Sequence, residues 1–198
     1  MNADLLLAFA AFAFATSITP GPNNVMLLAS GANHGFVRTL PHMAGITLGC
    51  ALMIVLVGFG LGALLAASPT LYAALRYIGA AYLLMLAWRT ARSATIPSRP
   101  AAGRPMRLLH AAAFQWVNPK AWVMVVGAVT TYVPHDGFSR NVFLVAAVFG
   151  LVNAPAILVW AGFGVALRRI LSDVRRMRAF NIAMALLLVL SLYPVLKP

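Results

Sequence analysis

Apolar residues run along this chain in long unbroken stretches rather than in stripes, and polar residues gather in the gaps between them. About 20 apolar residues in a helix cross roughly 30 Å of hydrocarbon. Six such stretches can be drawn, at residues 4–29, 42–66, 71–90, 109–133, 141–166 and 179–196. The gaps carry the chemistry of turns and breaks. His34, Gly35 and Arg38 lie between Gly31 and Pro41, Ser68-Pro69 makes a tight turn, and Pro, Ser, Arg and Gly crowd Ser93 to Pro105. Pro134-His135-Asp136-Gly137 is a further turn, and a basic connection runs from Leu167 to Arg178. The pattern predicts an all-α polytopic membrane protein, a single transmembrane domain of six helices over residues 1–198.

Composition supports that reading. The 198 residues are 62% hydrophobic and only 9% charged, with a mean hydropathy of +0.89. A soluble domain is about 45–50% apolar and about 25% charged, so a water-soluble core is excluded. A net charge of +12 could mark a nucleic-acid protein, but the arginines lie between the apolar runs. Cytoplasmic loops collect positive charge in that way, so the predicted partner is the lipid bilayer and not nucleic acid.

The same charges orient the chain. Arg38, Arg89, Arg92, Arg99, Arg104, Arg107, Arg168, Arg169, Arg175, Arg176 and Arg178 fall in the first, third and fifth gaps, against Arg76, Arg140 and Lys197 on the other side. Eleven against three places those gaps in the cytoplasm and both termini outside. Ala13-Phe14-Ala15 is faintly like a signal-peptide cleavage site. No Lys or Arg precedes it and Asp4 stands in the n-region, so cleavage is not expected. A lone cysteine, Cys50, cannot form an intramolecular disulfide and reads as a packing residue.

The remaining cation is Lys120, inside an apolar run from Leu108 to Val133. It would lie about 18–20 Å from either end of a helix there, and an ionisable residue at such depth is a functional candidate. Asn118-Pro119 precedes it. A second break, Thr19-Pro20-Gly21-Pro22-Asn23-Asn24, falls in the first stretch, where two prolines remove donors and crowd the preceding turn. Backbone freed at membrane depth needs a protein partner or a polar cavity, and Asn23 and Asn24 bring amides to it. The blander alternatives are a helix that ends at the cytoplasmic surface and a Lys120 that reaches the interface. Asn153-Ala154-Pro155 is a third polar break, or only a tolerated kink. Gly45 with Gly49, and Gly58 with Gly62, read as faces for close helix packing, which could also serve a homodimer.

The first two breaks are three spans apart. Halves of three spans each face opposite ways, the inverted 3+3 repeat of secondary transporters, whose discontinuous helices form a midplane site. At these residues the chain resembles the LysE/RhtB family of amino-acid exporters, which carries Pro-Gly-Pro in its first span and Asn-Pro-Lys in its fourth. Pro20-Gly21-Pro22 and Asn118-Pro119-Lys120 match those motifs, and His34-Gly35-Phe36, Gly45 with Gly49, and Gly79-Ala80-Ala81-Tyr82-Leu83 match in order. The likeness covers residues 5 to 195 and is nearest to the cysteine/O-acetylserine exporter branch. Many relatives carry Asp or Asn where this chain has Cys50, which argues against a basic substrate.

The resemblance implies export of an amino acid or close derivative, neutral or small and polar, across the bacterial inner membrane, with no cofactor and no metal. Its site would be Pro20, Gly21, Pro22, Asn23, Asn24, Asn118, Pro119 and Lys120, with Asn153 nearby. Asn23, Asn24 and the freed backbone would hold the ammonium, and Lys120 with Asn118 the α-carboxylate. Family-style proton coupling would need a carrier, and Asp4, Asp136 and Asp173 all lie outside the stretches. Lys120, His42 or the substrate itself would have to serve. An intramembrane enzyme lacks paired carboxylates or a clustered histidine set. A channel or a structural subunit is the alternative.

Overall fold

The computed structural model describes residues 1–63, 67–93, 104–168, 170–171 and 173–193, apart from the side chains of Pro69 and Tyr72. The ends of the second and sixth stretches (64–66 and 194–196) lie outside these residues. So do most of the Ser93–Pro105 connection with Arg99, and Arg169 and Lys197.

Among the described residues there are eight α-helices and no strand. The first stretch forms α1 (Ala3–Ile18) and α2 (Pro22–His34), and the second forms α3 (Phe36–Leu56), which continues into a π turn (Val57–Leu61). Then follow α4 (Pro69–Arg92), α5 (Leu108–Gln115), α6 (Pro119–Tyr132), α7 (Phe138–Leu167) and α8 (Val174–Leu190). Among the described residues two helices are long and apolar enough to cross a membrane, Phe36–Leu61 at mean hydropathy 2.3 and Phe138–Leu167 at 2.5. The α1–α2 pair adds a third span if counted as one, bent by 56°. Leu48, Leu52, Val123, Leu151 and Leu190 stand exposed on the outer faces of their helices, a surface that suits lipid rather than water.

Two expected loops are shorter than their polar stretches. Between Gly31 and Pro41 the turn is Gly35 alone, with α2 ending at His34 and α3 starting at Phe36. Gly35 has φ +83°, a conformation that glycine adopts without penalty. Thr39 Oγ1 donates to the Gly35 carbonyl at 2.8 Å and shares a 2.8 Å hydrogen bond with Ser30 Oγ, which fixes the elbow. The basic connection after Leu167 likewise gives way to α8 at Val174, capped by the Asp173 carboxylate on Arg175 N at 3.1 Å. Polar residues mark where an apolar stretch ends. They do not mark where a helix must end, because its backbone bonds continue into water.

Asn153-Ala154-Pro155 is not a break. α7 runs through Pro155 without interruption, and Asn153 is buried, donating to Thr47 Oγ1 of α3 at 2.9 Å.

Small residues bring the helices together. A Cβ on Gly45 would strike the Leu108 carbonyl, and one on Gly49 would lie 2.8 Å from Ala112 Cα, so both glycines seat α3 against α5. Gly58 faces Val142 of α7 at 2.8 Å, whereas Gly62 meets only Val57 of its own segment, not another helix. α2 and α7 also approach closely. Gly31 lies against the Ala161 carbonyl, and Gly164 against the Leu28 carbonyl. Around these contacts one apolar cluster unites α1, α3, α6 and α7 through Phe9, Met53, Val125 and Phe149. A second unites α2, α4, α5 and α8 through Leu28, Leu83, Phe114 and Leu188.

Candidate functional site

Both motifs interrupt helices, and in each case the freed backbone can be followed bond by bond. At the first break Thr19 Oγ1 donates to the Thr16 carbonyl at 3.0 Å. Asn24 Nδ2 donates to the carbonyls of Ser17 and Thr19, each at 2.8 Å. Trp160 Nε1, reaching across from α7, donates to Ile18 O at 3.0 Å. Lys120 Nζ completes the set, donating to Thr19 O at 2.6 Å, Thr19 Oγ1 at 2.9 Å and Pro20 O at 3.3 Å. A freed carbonyl without a donor costs about 1–3 kcal/mol where it is buried, as at Ser17, and each of the five freed carbonyls from Thr16 to Pro20 has a donor here.

The second break is supported differently. The carbonyls of Ala113, Phe114 and Gln115 accept from the backbone N–H groups of Trp116, Val117 and Asn118 at 3.1–3.2 Å, a tightened last turn. Trp122 Nε1 donates to Trp116 O at 2.8 Å. Asn118 Oδ1 accepts from Lys120 N at 3.2 Å and so caps α6, with Pro119 at the first helical position, where its missing donor costs nothing.

The Val117 carbonyl is pressed against Gly79 of α4, where a Cβ would overlap it. Gly79→Ala is therefore expected to push α4 off the break and lower the unfolding temperature by several degrees, the effect of about 1–3 kcal/mol of overpacking. Thermal unfolding of the purified protein checks this, and an unchanged midpoint would show that the contact is slack.

The two breaks face each other. Asn23 Nδ2 donates to Gln115 Oε1 at 2.8 Å and Gln115 Nε2 returns a bond to Asn23 Oδ1 at 3.1 Å. Gln115 Nε2 also donates to Ala111 O at 2.9 Å, while its Oε1 receives Asn118 Nδ2 at 3.4 Å and Cys50 Sγ at 3.5 Å. Gly21 gives the Lys120 stem its room, since a Cβ there would lie 2.7 Å from Lys120 Cδ. The result is a wall of carbonyl acceptors around one ammonium, beside a wall of amide donors.

Pro20, Gly21, Pro22, Asn23, Asn118, Pro119 and Lys120 are thus brought together as the motifs suggest. Asn24 is there too, but its amide is committed to the backbone of the break. Asn153 bonds elsewhere, to Thr47. Three participants went unassigned at the level of sequence. Gln115 pairs with Asn23 across 92 positions, Trp160 supports Ile18, and Thr19 contributes its backbone oxygen. Thr19 stands at the head of the first break, and Gln115 carried a signal as an amide in an apolar run five residues before Lys120.

The LysE type translocator family matches residues 14–193 of the chain. The cysteine/O-acetylserine efflux proteins of Escherichia coli strain K12 and Shigella sonnei strain Ss046 are each 32% identical to it over 193 residues, covering 96% of this chain and 96% of each relative. No solved structure gives a significant match. This chain belongs to the LysE type translocator family and is a membrane transporter rather than an enzyme.

Proposed function

We propose that the protein is a secondary carrier that exports a small, neutral or polar amino acid, of the kind cysteine and O-acetylserine represent, across the bacterial inner membrane. The observation that carries this reading is the ammonium of Lys120 resting on the Thr19 and Pro20 carbonyls, beside the Asn23–Gln115 pair and between two broken helices. Those oxygens suit an ammonium, and the substrate brings one. Its entry displaces Lys120, which is then free to meet the α-carboxylate with Asn118. Each charge gains a partner and no charge is buried alone. Asn24 and Trp160 act by holding the break open.

In this proposal the spans are α1–α2, α3, α4, α5–α6, α7 and α8. Helix pairing supports an inverted 3+3 repeat. α1 and α2 pack on α7, α5 and α6 pack on α3, α4 packs on α8, and α3 meets α7, the pattern expected when spans one to three map onto four to six. The N-terminal ammonium bonds Asn141 at 3.3 Å, beside Arg140 and away from the arginine-rich connections. That supports the N-terminus outside. Gly45 and Gly49 are occupied within the chain, so a homodimer through that face forms no part of the reading. Proton coupling does belong to it, with Lys120 or the substrate as the carrier.

Counterflow tests the proposal and separates it from a channel. Proteoliposomes loaded with unlabelled O-acetylserine or cysteine are diluted into traces of the labelled compound. Transient accumulation of label above equilibrium is expected. Simple equilibration would mark a channel, and no entry of either compound would remove the substrate class.

A further inference from the structure

A cavity of about 500 Å³ opens beyond the broken helices, bounded by α2, α3, α4, the segment Arg104–Arg107 and the start of α5. Arg89, Arg104, Arg107, His34, His42 and His110 line it, and among the described residues no Asp or Glu does. Its most unusual member is His42. The side chain is only 2% exposed, and neither ring nitrogen has a hydrogen-bond partner. His34 Nδ1 is also buried and unpartnered. A buried donor is almost always paired, and here two rings with unpaired nitrogens line one cavity with three guanidinium groups. α5 begins at the same wall with no side chain capping its first turn, and a helix start of that kind favours anions.

The cavity is separate from the Lys120 site. Its innermost wall residue on α2, Met26, is three residues past Asn23, about 4.5 Å along the helix axis, but Asn23, Gln115, Asn118 and Lys120 do not line it. We propose that it is an oxyanion-binding vestibule, in which His42, His110, Arg89, Arg104 and Arg107 receive a phosphate or carboxylate group. The group comes either from a soluble anion or from the headgroup of an anionic lipid. The site does not depend on the transport reading, because its residues are not those that hold the exported molecule.

Thermal unfolding of the full chain provides the test, read by a thiol-reactive dye that reaches buried Cys50 only on unfolding. In detergent, pyrophosphate is titrated against chloride at equal ionic strength. In nanodiscs, phosphatidylglycerol is compared with phosphatidylcholine. A soluble-anion site predicts a saturable rise in unfolding temperature with pyrophosphate. Arg104→Gln and Arg107→Gln, both exposed side chains and tolerant of change, should each weaken it about tenfold, the loss of one charge-assisted hydrogen bond.

A headgroup site predicts stabilisation by phosphatidylglycerol that the same variants lose, with no saturable effect of pyrophosphate in detergent. His42→Asn should act with the arginine variants, while Arg140→Gln should bind like the parent. The proposal is overturned if neither anion stabilises saturably, or if Arg140→Gln weakens binding as much as Arg107→Gln.

Discussion

Lys120→Met is expected to lower counterflow by about a hundredfold or more while leaving most of the folded protein intact. The two effects separate because the lysine has two kinds of partner. Structurally it donates to Thr19 O, Thr19 Oγ1 and Pro20 O, but Thr19 O keeps Asn24 as a second donor. Thr19 and Pro20 are also exposed, so the stability loss should stay near 1 kcal/mol. In transport the cation would meet the substrate carboxylate, and one strong charge-assisted contact of about 3 kcal/mol corresponds to roughly a hundredfold. Lys120→Arg should recover only a small part. The guanidinium restores charge, but its planar fork must turn where the lysine stem passes Gly21. Counterflow in the Met variant at the parental rate would remove Lys120 from the mechanism. Equal loss of folding and transport would make it a structural residue only.

Gly31→Leu and Gly164→Leu should each prevent recovery of folded protein. At both positions the atom met is a backbone carbonyl of the facing helix, and backbone cannot rotate away as a side chain can. Separating α2 from α7 would open the apolar contact along both, at a cost of about 4 kcal/mol or more, beyond what most single substitutions do. Gly162→Leu is the control. It lies two residues from Gly164 on the same helix, where a Cβ meets nothing within 4 Å. Fluorescence-detected gel filtration of tagged variants should give a monodisperse peak for Gly162→Leu and aggregate for the other two. A monodisperse Gly31→Leu would mean that the interface can slide apart.

The breaks were legible in the sequence because proline acts on its own neighbourhood. Pro20, Pro22 and Pro119 each remove a donor that no distant residue can restore, so the interruption follows from local chemistry. Lys120 was legible for a similar reason, since a cation in a long apolar run needs a partner wherever the chain folds. Its partner was not. Backbone oxygens have no residue type, and nothing in the sequence points from position 120 to Thr19. Gln115 and Asn23 lie 92 positions apart, and Gly31 and Gly164 do not form a repeating pair on one helix as Gly45 and Gly49 do. Such contacts belong to the tertiary arrangement. The helix limits near Gly35 and Val174 were missed because hydropathy reports the solvent around a helix and not its hydrogen bonds.

The amide oxygen of Gln115 has a property that matters for exchange. It has two lone pairs, yet Asn23, Asn118 and Cys50 all donate to it, the last two at 3.4 and 3.5 Å. Three donors on two lone pairs leave the outer two weakly held. In the proposed site an arriving acceptor would recruit Asn118 Nδ2 while Asn23 keeps its 2.8 Å bond, so that the oxygen is never stripped. In the proposed carrier such a handover would leave no amide group unpaired at any stage.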